Sequence, residues 1–175
     1  ADNGYRLGPK LNQLLLAGTM KQKFRLAALP LLKELMEQTG NTATAFYWDG
    51  NQTEVVAKEM HPAAVVMQPV GNRGGLNYGC PWSLYFFRRL AETGREAFIR
   101  AAKRDRRWAA VQRQLDFASR RGFAYDDCTS LPGVRRLAAP VYAGGNVIGC
   151  LTLGGTPYTI PDAELPTFGA LLRRH

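Results

Sequence analysis

Residues 122–127, 131–141 and 146–155 read GFAYDD, LPGVRRLAAPV and NVIGCLTLGG, and this stretch decides the fold. The first two runs are extended and flank a Pro-Gly turn. They therefore predict an antiparallel pair that brings the acids at 126–127 close to the arginines at 135–136. The third run is typical of a buried strand that returns alongside. The three runs predict a β-meander with one buried face and a few polar groups on the other, a surface suited to holding a small molecule.

Hydrophobic periodicity predicts the other elements. Helices are expected over residues 9–20, 21–39, 77–90, 95–103, 106–121 and 161–174, and strands over 42–48, 53–59 and 64–68. Pro30 lies inside the second helix and should kink or divide it. Gly40 should cap that helix, and the loop at 70–75 should need glycine conformations. Because hairpins dominate the order, we predict an α+β fold with a mainly antiparallel sheet and helices packed against it.

Length and composition bound the class of protein. A chain of 175 residues fits one domain that buries about 70% of its unfolded surface. It has no apolar run of the roughly 18–20 residues that cross a bilayer. The start, ADNG, has neither a signal peptide nor an initiator Met, so we expect a processed or excised fragment of a cytoplasmic protein. Three cysteines without a CxxC pair and two histidines predict reduced thiols, no metal site and no cofactor.

The positive charge is concentrated in one segment. The net charge is +9, and residues 88–121 hold eleven Lys/Arg against four Asp/Glu. One interpretation is a solvated helix surface that keeps the protein soluble. The alternative is direct contact with nucleic acid through counterion release, although no zinc finger, RNP motif or helix-turn-helix is present.

Enzymatic activity is the least favoured reading of this sequence. GxSxG, HExxH, P-loop and GxGxxG motifs are all missing. A cysteine nucleophile would need a base, and His61 is the only histidine before the terminal residue. We therefore predict that the protein is not an enzyme.

Short motifs along the chain resemble one known family. They are YRLG at 5–8, LPLL to TG at 29–40, VGNR at 70–73, and GFAYDD, PGVR and AAPV at 122–141. In order and spacing they resemble the C-terminal effector-binding domain of the IclR family of bacterial transcription regulators. The resemblance covers nearly the whole chain.

The resemblance implies a fold, a function and partners. It implies a GAF-like (profilin-like) domain with a six-stranded sheet that binds a small organic effector. Residues 1–20 would form a linker helix and the start of the effector domain, and residues 21–175 the small-molecule effector-binding domain. A winged helix-turn-helix, absent from this sequence, would contact DNA, and no membrane would be involved. Members of the family are commonly homodimers or homotetramers.

The resemblance also implies a set of ligand-binding residues. They are Gly79, Cys80, Pro81, Trp82, Asp126, Val134, Arg136, Thr152 and Gly154. The chain departs from the family pattern near the first of these. Trp82-Ser83 replaces the family's Gly-Lys pair, and Asn77 replaces its His, so a bulky indole should alter the shape of the pocket.

Strand geometry supports part of this set without the resemblance. Val134 and Arg136 share one strand face, and Thr152 and Gly154 share one face of another. If the two faces coincide, one wall carries a guanidinium, a hydroxyl and the gap left by glycine. Arg136 would then hold a carboxylate, assisted by a helix N-terminus near Tyr78. This arrangement predicts an acidic or aromatic-acid effector.

Each of these residues has a structural alternative. Asp126 accepts only backbone hydrogen bonds or pairs with Arg135, and Arg136 faces solvent if the register slips by one residue. Trp82 is core or pocket wall rather than a stacking platform, and Thr152 only favours the strand. Cysteines such as Cys80 are often small apolar fillers.

Overall fold

The computed structural model describes residues 9–62, 64, 68–127 and 130–174, and for residues 9–19 only the backbone. The helices are α1 Pro9–Thr39, α2 Pro81–Phe87, α3 Glu92–Arg104, α4 Trp108–Arg121 and α5 Leu165–Arg174. The strands are β1 Thr42–Trp48, β2 Thr53–Glu59, β3 Arg73–Gly74, β4 Ala124–Asp127, β5 Arg135–Ala143 and β6 Asn146–Gly155. A 3-10 turn, Asp162–Glu164, leads into α5.

One antiparallel sheet holds all six strands, in the order β3-β2-β1-β6-β5-β4. The tightest hairpin joins β5 to β6, where Ala143 pairs with Asn146 across Gly144 and Gly145. Both glycines have positive φ, 55° and 76°, which a two-residue hairpin turn requires. The predicted α+β fold with a mainly antiparallel sheet is confirmed.

Helices cover both faces of the sheet. On one face α1 and α5 bury a core that includes Leu32, Leu151 and Leu172. On the other face α2 stacks Trp82 on Phe46, with ring centroids 4.1 Å apart. A third cluster joins α2 to α3 and α4. Because both faces are covered, every residue of β1 is buried.

The first two predicted helices are a single helix, and the predicted division at Pro30 is wrong. The helix α1 continues through Pro30. On either side of this exposed proline, Phe24, Ala28 and Leu32 are buried against the sheet. Packing of this stripe offsets the hydrogen bond that proline cannot donate.

Other predicted boundaries shift by a few residues. The helix expected over 77–90 forms only at Pro81–Phe87, with proline in its first turn, where its missing N–H costs nothing. Most of the strand expected at 64–68 lies outside the described residues. The third strand is Arg73–Gly74, which pairs with β2 after a turn that places Gly71 at φ +87°. Gly40 caps α1 as predicted, with φ +64°.

Candidate functional site

A cleft of about 670 Å³ opens beside the β4 edge of the sheet. One wall is the loop 77–80 and the start of α2, and the opposite wall is the first half of α4. The floor comes from β4 and Ser130. The volume falls within the range of small-molecule sites, about 300–1,000 Å³.

A buried ion pair lies at the cleft floor. The β4–β5 register places Asp126 opposite Arg136, and Arg136 Nη2 donates to Asp126 Oδ2 at 2.6 Å. The Asp126 side chain is only 4% exposed and the Arg136 side chain only 6%. The Asp126 carboxylate also accepts from the Ser130 hydroxyl at 2.8 Å. This register corrects the alternative pairing of Asp126 with Arg135, because Arg135 lies opposite Asp127.

Arg136 joins the sheet to the loop before α2. Its guanidinium donates to Gly79 O at 3.2 Å and to Ser130 Oγ, and contacts Cys80 Sγ at 3.7 Å. It also lies over the Trp82 ring, 5.1 Å from the centroid. These contacts fix the position of the cleft wall relative to β5.

The loop before α2 passes close to the segment at 130. A Cβ on Gly79 would lie 2.5 Å from Ser130 Cβ, so only glycine permits this approach. The Gly79 N–H donates to Asn77 Oδ1 at 2.8 Å, which holds the turn. Asn77 is one of the residues at which the sequence departs from the pattern of the family it resembles.

The nine predicted ligand residues divide into two groups. Four line the cleft: Gly79, Cys80, Pro81 and Asp126. Five are buried behind it or in the sheet: Trp82, Val134, Arg136, Thr152 and Gly154. That any of these nine residues contacts a ligand stays a prediction.

The second group has structural partners of its own. The predicted shared face of β5 and β6 is confirmed, since Arg136 pairs with Gly154 and Ala138 with Thr152. The Thr152 hydroxyl donates to Thr44 O at 3.2 Å. Trp82 is 3% exposed and stacks within the core, as its structural alternative proposed.

One wall of the cleft was not predicted from the sequence. It is the α4 stripe, which we define as Arg107, Ala110, Val111 and Gln114. Their spacing of i, i+3, i+4 and i+7 is the signal, because it places them on one side of a helix. Arg113 lies beside the stripe and also lines the cleft.

The cleft mouth carries a second polar contact that the sequence did not reveal. The Tyr78 hydroxyl donates to Asp105 Oδ2 and so connects the loop before α2 to the end of α3. This hydrogen bond, with a further one from Arg104, lowers the pKa of Asp105. The same hydrogen bond raises the pKa of Tyr78.

Solved structures with the same architecture are regulators. An IclR-family transcriptional regulator domain superimposes with a TM-score of 0.74 at 22% identity, covering 87% of this chain and 91% of that chain. An IclR transcriptional regulator from Silicibacter sp. TM1040 gives a TM-score of 0.76 at 20% identity, covering 99% of this chain and 72% of its own. The chain has the fold of the IclR-family C-terminal domain.

Two further relatives extend the likeness. An IclR homologue from Microbacterium hydrocarbonoxydans, solved with 4-hydroxybenzoate, gives a TM-score of 0.73 at 20% identity, covering 97% of this chain and 71% of that one. The HTH-type transcriptional regulator BhcR of Paracoccus denitrificans is 29% identical over 150 residues, which are 79% of this chain and 52% of BhcR. The chain therefore spans about half the length of this curated relative. No protein-family profile matches the chain.

Cys80 contributes a thiol to the lining of the cleft. Burial raises the pKa of the Cys80 thiol, so the cysteine in the cleft is a protonated group and not an activated nucleophile. Among the residues that the structure describes, no group of three His, Cys, Asp or Glu could hold a metal ion. No described helix is long and apolar enough to cross a membrane.

Proposed function

We propose that the chain is the effector-binding and oligomerisation domain of a bacterial IclR-type transcription regulator. It senses a small organic metabolite and controls DNA binding by a winged helix-turn-helix domain of the full-length cytoplasmic protein. The observation that carries the proposal is the cleft of about 670 Å³, which is lined by both polar and apolar residues and lies in a regulator fold.

The proposed effector is acidic or aromatic. The 4-hydroxybenzoate held by the regulator from Microbacterium hydrocarbonoxydans supports this choice. In our proposal Gly79, Cys80, Pro81 and Asp126 contact the effector directly. Trp82, Val134, Arg136, Thr152 and Gly154 set the shape and rigidity of the wall behind them.

The long helix α1 gives a physical route for the signal. We propose that residues 1–20 are a linker helix and the start of the domain, and that residues 21–175 bind the effector. Because α1 runs without a break from Pro9 to Thr39, a shift of the sheet under Phe24 and Leu32 would move the whole helix. Such a helix can pass a small displacement to a domain attached at its start.

A ligand screen by thermal unfolding tests the proposal. An effector at 100 times its Kd should stabilise the folded chain by about 2.7 kcal/mol, and the library should include 4-hydroxybenzoate. Two alanines of α4 make a matched pair: Ala110 lines the cleft, and Ala109 is exposed outside it. Ala110→Trp should abolish the stabilisation and Ala109→Trp should keep it. A ligand response that survives Ala110→Trp places the site elsewhere and contradicts the proposal.

Regulation and assembly require the full-length protein. Ligand should change operator affinity, and operator should change ligand affinity by the same factor, because coupling is reciprocal. We propose a homodimer or homotetramer, which light scattering of the purified protein measures directly.

Direct binding of nucleic acid is the alternative function. All eleven Lys and Arg side chains of residues 88–121 are exposed. Their charge would attract a phosphate backbone but would not read bases.

A further inference from the structure

Two cations that line the cleft, Arg107 and Arg113, have no ion-pair partner among the described residues, although three carboxylates also line it. Asp105 accepts from Tyr78 and Arg104, Asp126 from Arg136 and Ser130, and Asp127 from Arg135. Arg107 and Arg113 form no salt bridge or hydrogen bond through their side chains within the described part of the chain. The charge left for a ligand is therefore positive.

The start of α4 adds to this positive end. Arg107 occupies the N-cap position, and no side chain caps the helix there. The first backbone N–H groups of α4 thus lack side-chain acceptors beside the Arg107 guanidinium. A helix N-terminus next to an arginine is suited to a carboxylate or a phosphate.

The far end of the same stripe has an unsatisfied polar group. Gln114 Oε1 is buried and has no hydrogen-bond partner among the described residues. A buried carbonyl without a donor is unfavourable, because it has lost its hydrogen bonds to water. A ligand hydroxyl would remove this cost, and it would do so with either orientation of the amide because a hydroxyl both donates and accepts.

Between these ends the stripe is apolar. Ala110 and Val111 lie on the same side of α4 as Arg107 and Gln114, and Leu84, which packs in one cluster with Val111, and Pro81 also line the cleft. Gln114 lies seven positions after Arg107, which corresponds to about 10 Å along the helix axis. The complementary molecule is elongated, with an anion at one end, an apolar or aromatic middle and a hydroxyl at the other end.

We infer that the α4 stripe is the specificity-determining surface of the cleft, selecting elongated hydroxy acids by an anion site at Arg107 and the start of α4 and by a hydroxyl site at Gln114. The inference rests on the proposed function and deepens it. It transfers the anion-binding role predicted for Arg136 to α4, since Arg136 already binds Asp126.

Calorimetric titration with three probes tests the inference. The probes are (4-hydroxyphenyl)acetate, phenylacetate, which lacks the hydroxyl, and (4-hydroxyphenyl)acetamide, which lacks the charge. The wild type should bind the first probe at least about tenfold more tightly than either of the others, as expected for one lost polar contact. Affinity for the two acids should fall with salt, because the arginines are exposed.

Variants then assign each end of the ligand. Gln114→Leu should bring the two acids within about twofold of each other, and Arg107→Gln should do the same for the acid and its amide. Arg120→Gln removes the same charge from α4 outside the cleft and should change none of the ratios. Unfolding curves without ligand show whether each variant is folded. Arg107→Lys, which keeps the positive charge, should retain part of the preference for the acid over its amide.

Three results would overturn the inference. The first is wild-type protein that binds none of the probes, and the second is ratios that persist in the variants. The third is chemical-shift changes that cluster at Tyr142 and Asn146, which line another cleft of the protein, instead of at the α4 stripe. If a neutral library compound still stabilises the chain and Ala110→Trp blocks it, the proposed function stands and only this inference fails.

Discussion

The Asp126–Arg136 pair has a structural role that a ligand contact alone would not explain. Both charges are almost fully withdrawn from water, and Arg136 Nε has no partner among the described residues. Desolvation of two ions is expensive, so such a pair contributes little net stability while the loss of one partner is severe. Its value lies in fixing the loop at Gly79 against β5.

Asp126→Ala should destabilise the protein by about 3–5 kcal/mol, because it leaves the Arg136 guanidinium buried without its carboxylate. Asp127→Ala is the matched control. Asp127 is 54% exposed, and its partner Arg135 keeps a second carboxylate, Asp162, at 2.8 Å. The control should cost no more than about 1 kcal/mol. Urea unfolding measures the free energy of unfolding of both variants. Equal losses of stability would show that the buried ion pair is no more important than the exposed one.

Arg106 is the one described residue other than glycine with a positive φ, 55°. It ends α3, where Arg106 N donates to Lys103 O and Arg107 N to Ala102 O, the geometry in which helices favour glycine. The left-handed conformation destabilises the folded state by about 1–2 kcal/mol for a residue other than glycine. Glycine avoids this strain but loses more conformational entropy on folding, so the net stabilisation by glycine is smaller.

Arg106→Gly should therefore stabilise the protein by about 0.5–1 kcal/mol. Arg106→Ala removes the same side chain without giving the backbone new freedom, so it should give no such gain. Thermal unfolding of the three proteins in parallel decides the matter. A gain in the alanine variant as large as in the glycine variant would assign the effect to charge.

At the scale of elements, α1 depends on a gap in the sheet. A Cβ on Gly149 of β6 would lie 2.5 Å from Phe24 Cζ and 2.6 Å from Phe46 O. The backbone oxygen cannot move aside without breaking the β1–β6 ladder. Phe24 therefore packs where glycine leaves room, and this contact sets how closely α1 approaches the strands.

Gly149→Ala should cost about 1–3 kcal/mol through overpacking. Gly75→Ala, at a site with nothing within 4 Å and no positive φ, should change stability by less than about 0.5 kcal/mol. Phe24→Leu should recover part of the loss in the Gly149 variant, because a smaller side chain frees the space. Independent, additive effects of the two substitutions would contradict the contact.

Local signals explain why the sequence predicted the hairpins and why it missed α4 as a cleft wall. Gly144 and Gly145, like the Pro132-Gly133 turn, join strands that are neighbours in sequence, so the acids and arginines meet by local geometry. The cleft needs α4 to lie opposite residues 77–81, a contact between distant segments that no local pattern encodes. The contacts of Arg136 with Gly79 and Ser130 were missed for the same reason, since both partners come from loops.

At the scale of the whole molecule, periodicity predicted the α+β sheet and the helices on it. It missed β3, because a strand of two residues has no periodicity to detect. It predicted two helices, 9–20 and 21–39, and a kink or division at Pro30, because helix propensity includes the hydrogen bond that proline loses but not the packing of the buried residues on either side. The fold follows where local preference and packing agree, and errors arise where packing overrides preference.

The positive charge of residues 88–121 is compatible with a solubilising surface and with a nucleic-acid-binding surface, and the salt dependence of DNA binding distinguishes the two. In residues 88–121 only Arg100 and Arg104 have an acidic partner among the ion pairs of the described residues, Glu96 and Asp105 respectively. If this surface serves solubility, the chain should bind an arbitrary DNA duplex only at low ionic strength. Affinity should fall steeply with salt and vanish near about 0.15 M, where the organic effector still stabilises the fold.

Fluorescence anisotropy with a labelled duplex follows this loss. Arg95→Glu with Arg120→Glu should abolish the low-salt binding, while Lys23→Glu with Lys33→Glu, an equal change of charge on α1, should weaken it much less. Neither pair touches the cleft, so ligand affinity should stay unchanged in both. Tight binding that persists at about 0.15 M salt and prefers one DNA sequence would instead make the arginine-rich helices the reading surface, because backbone charge alone carries no sequence preference.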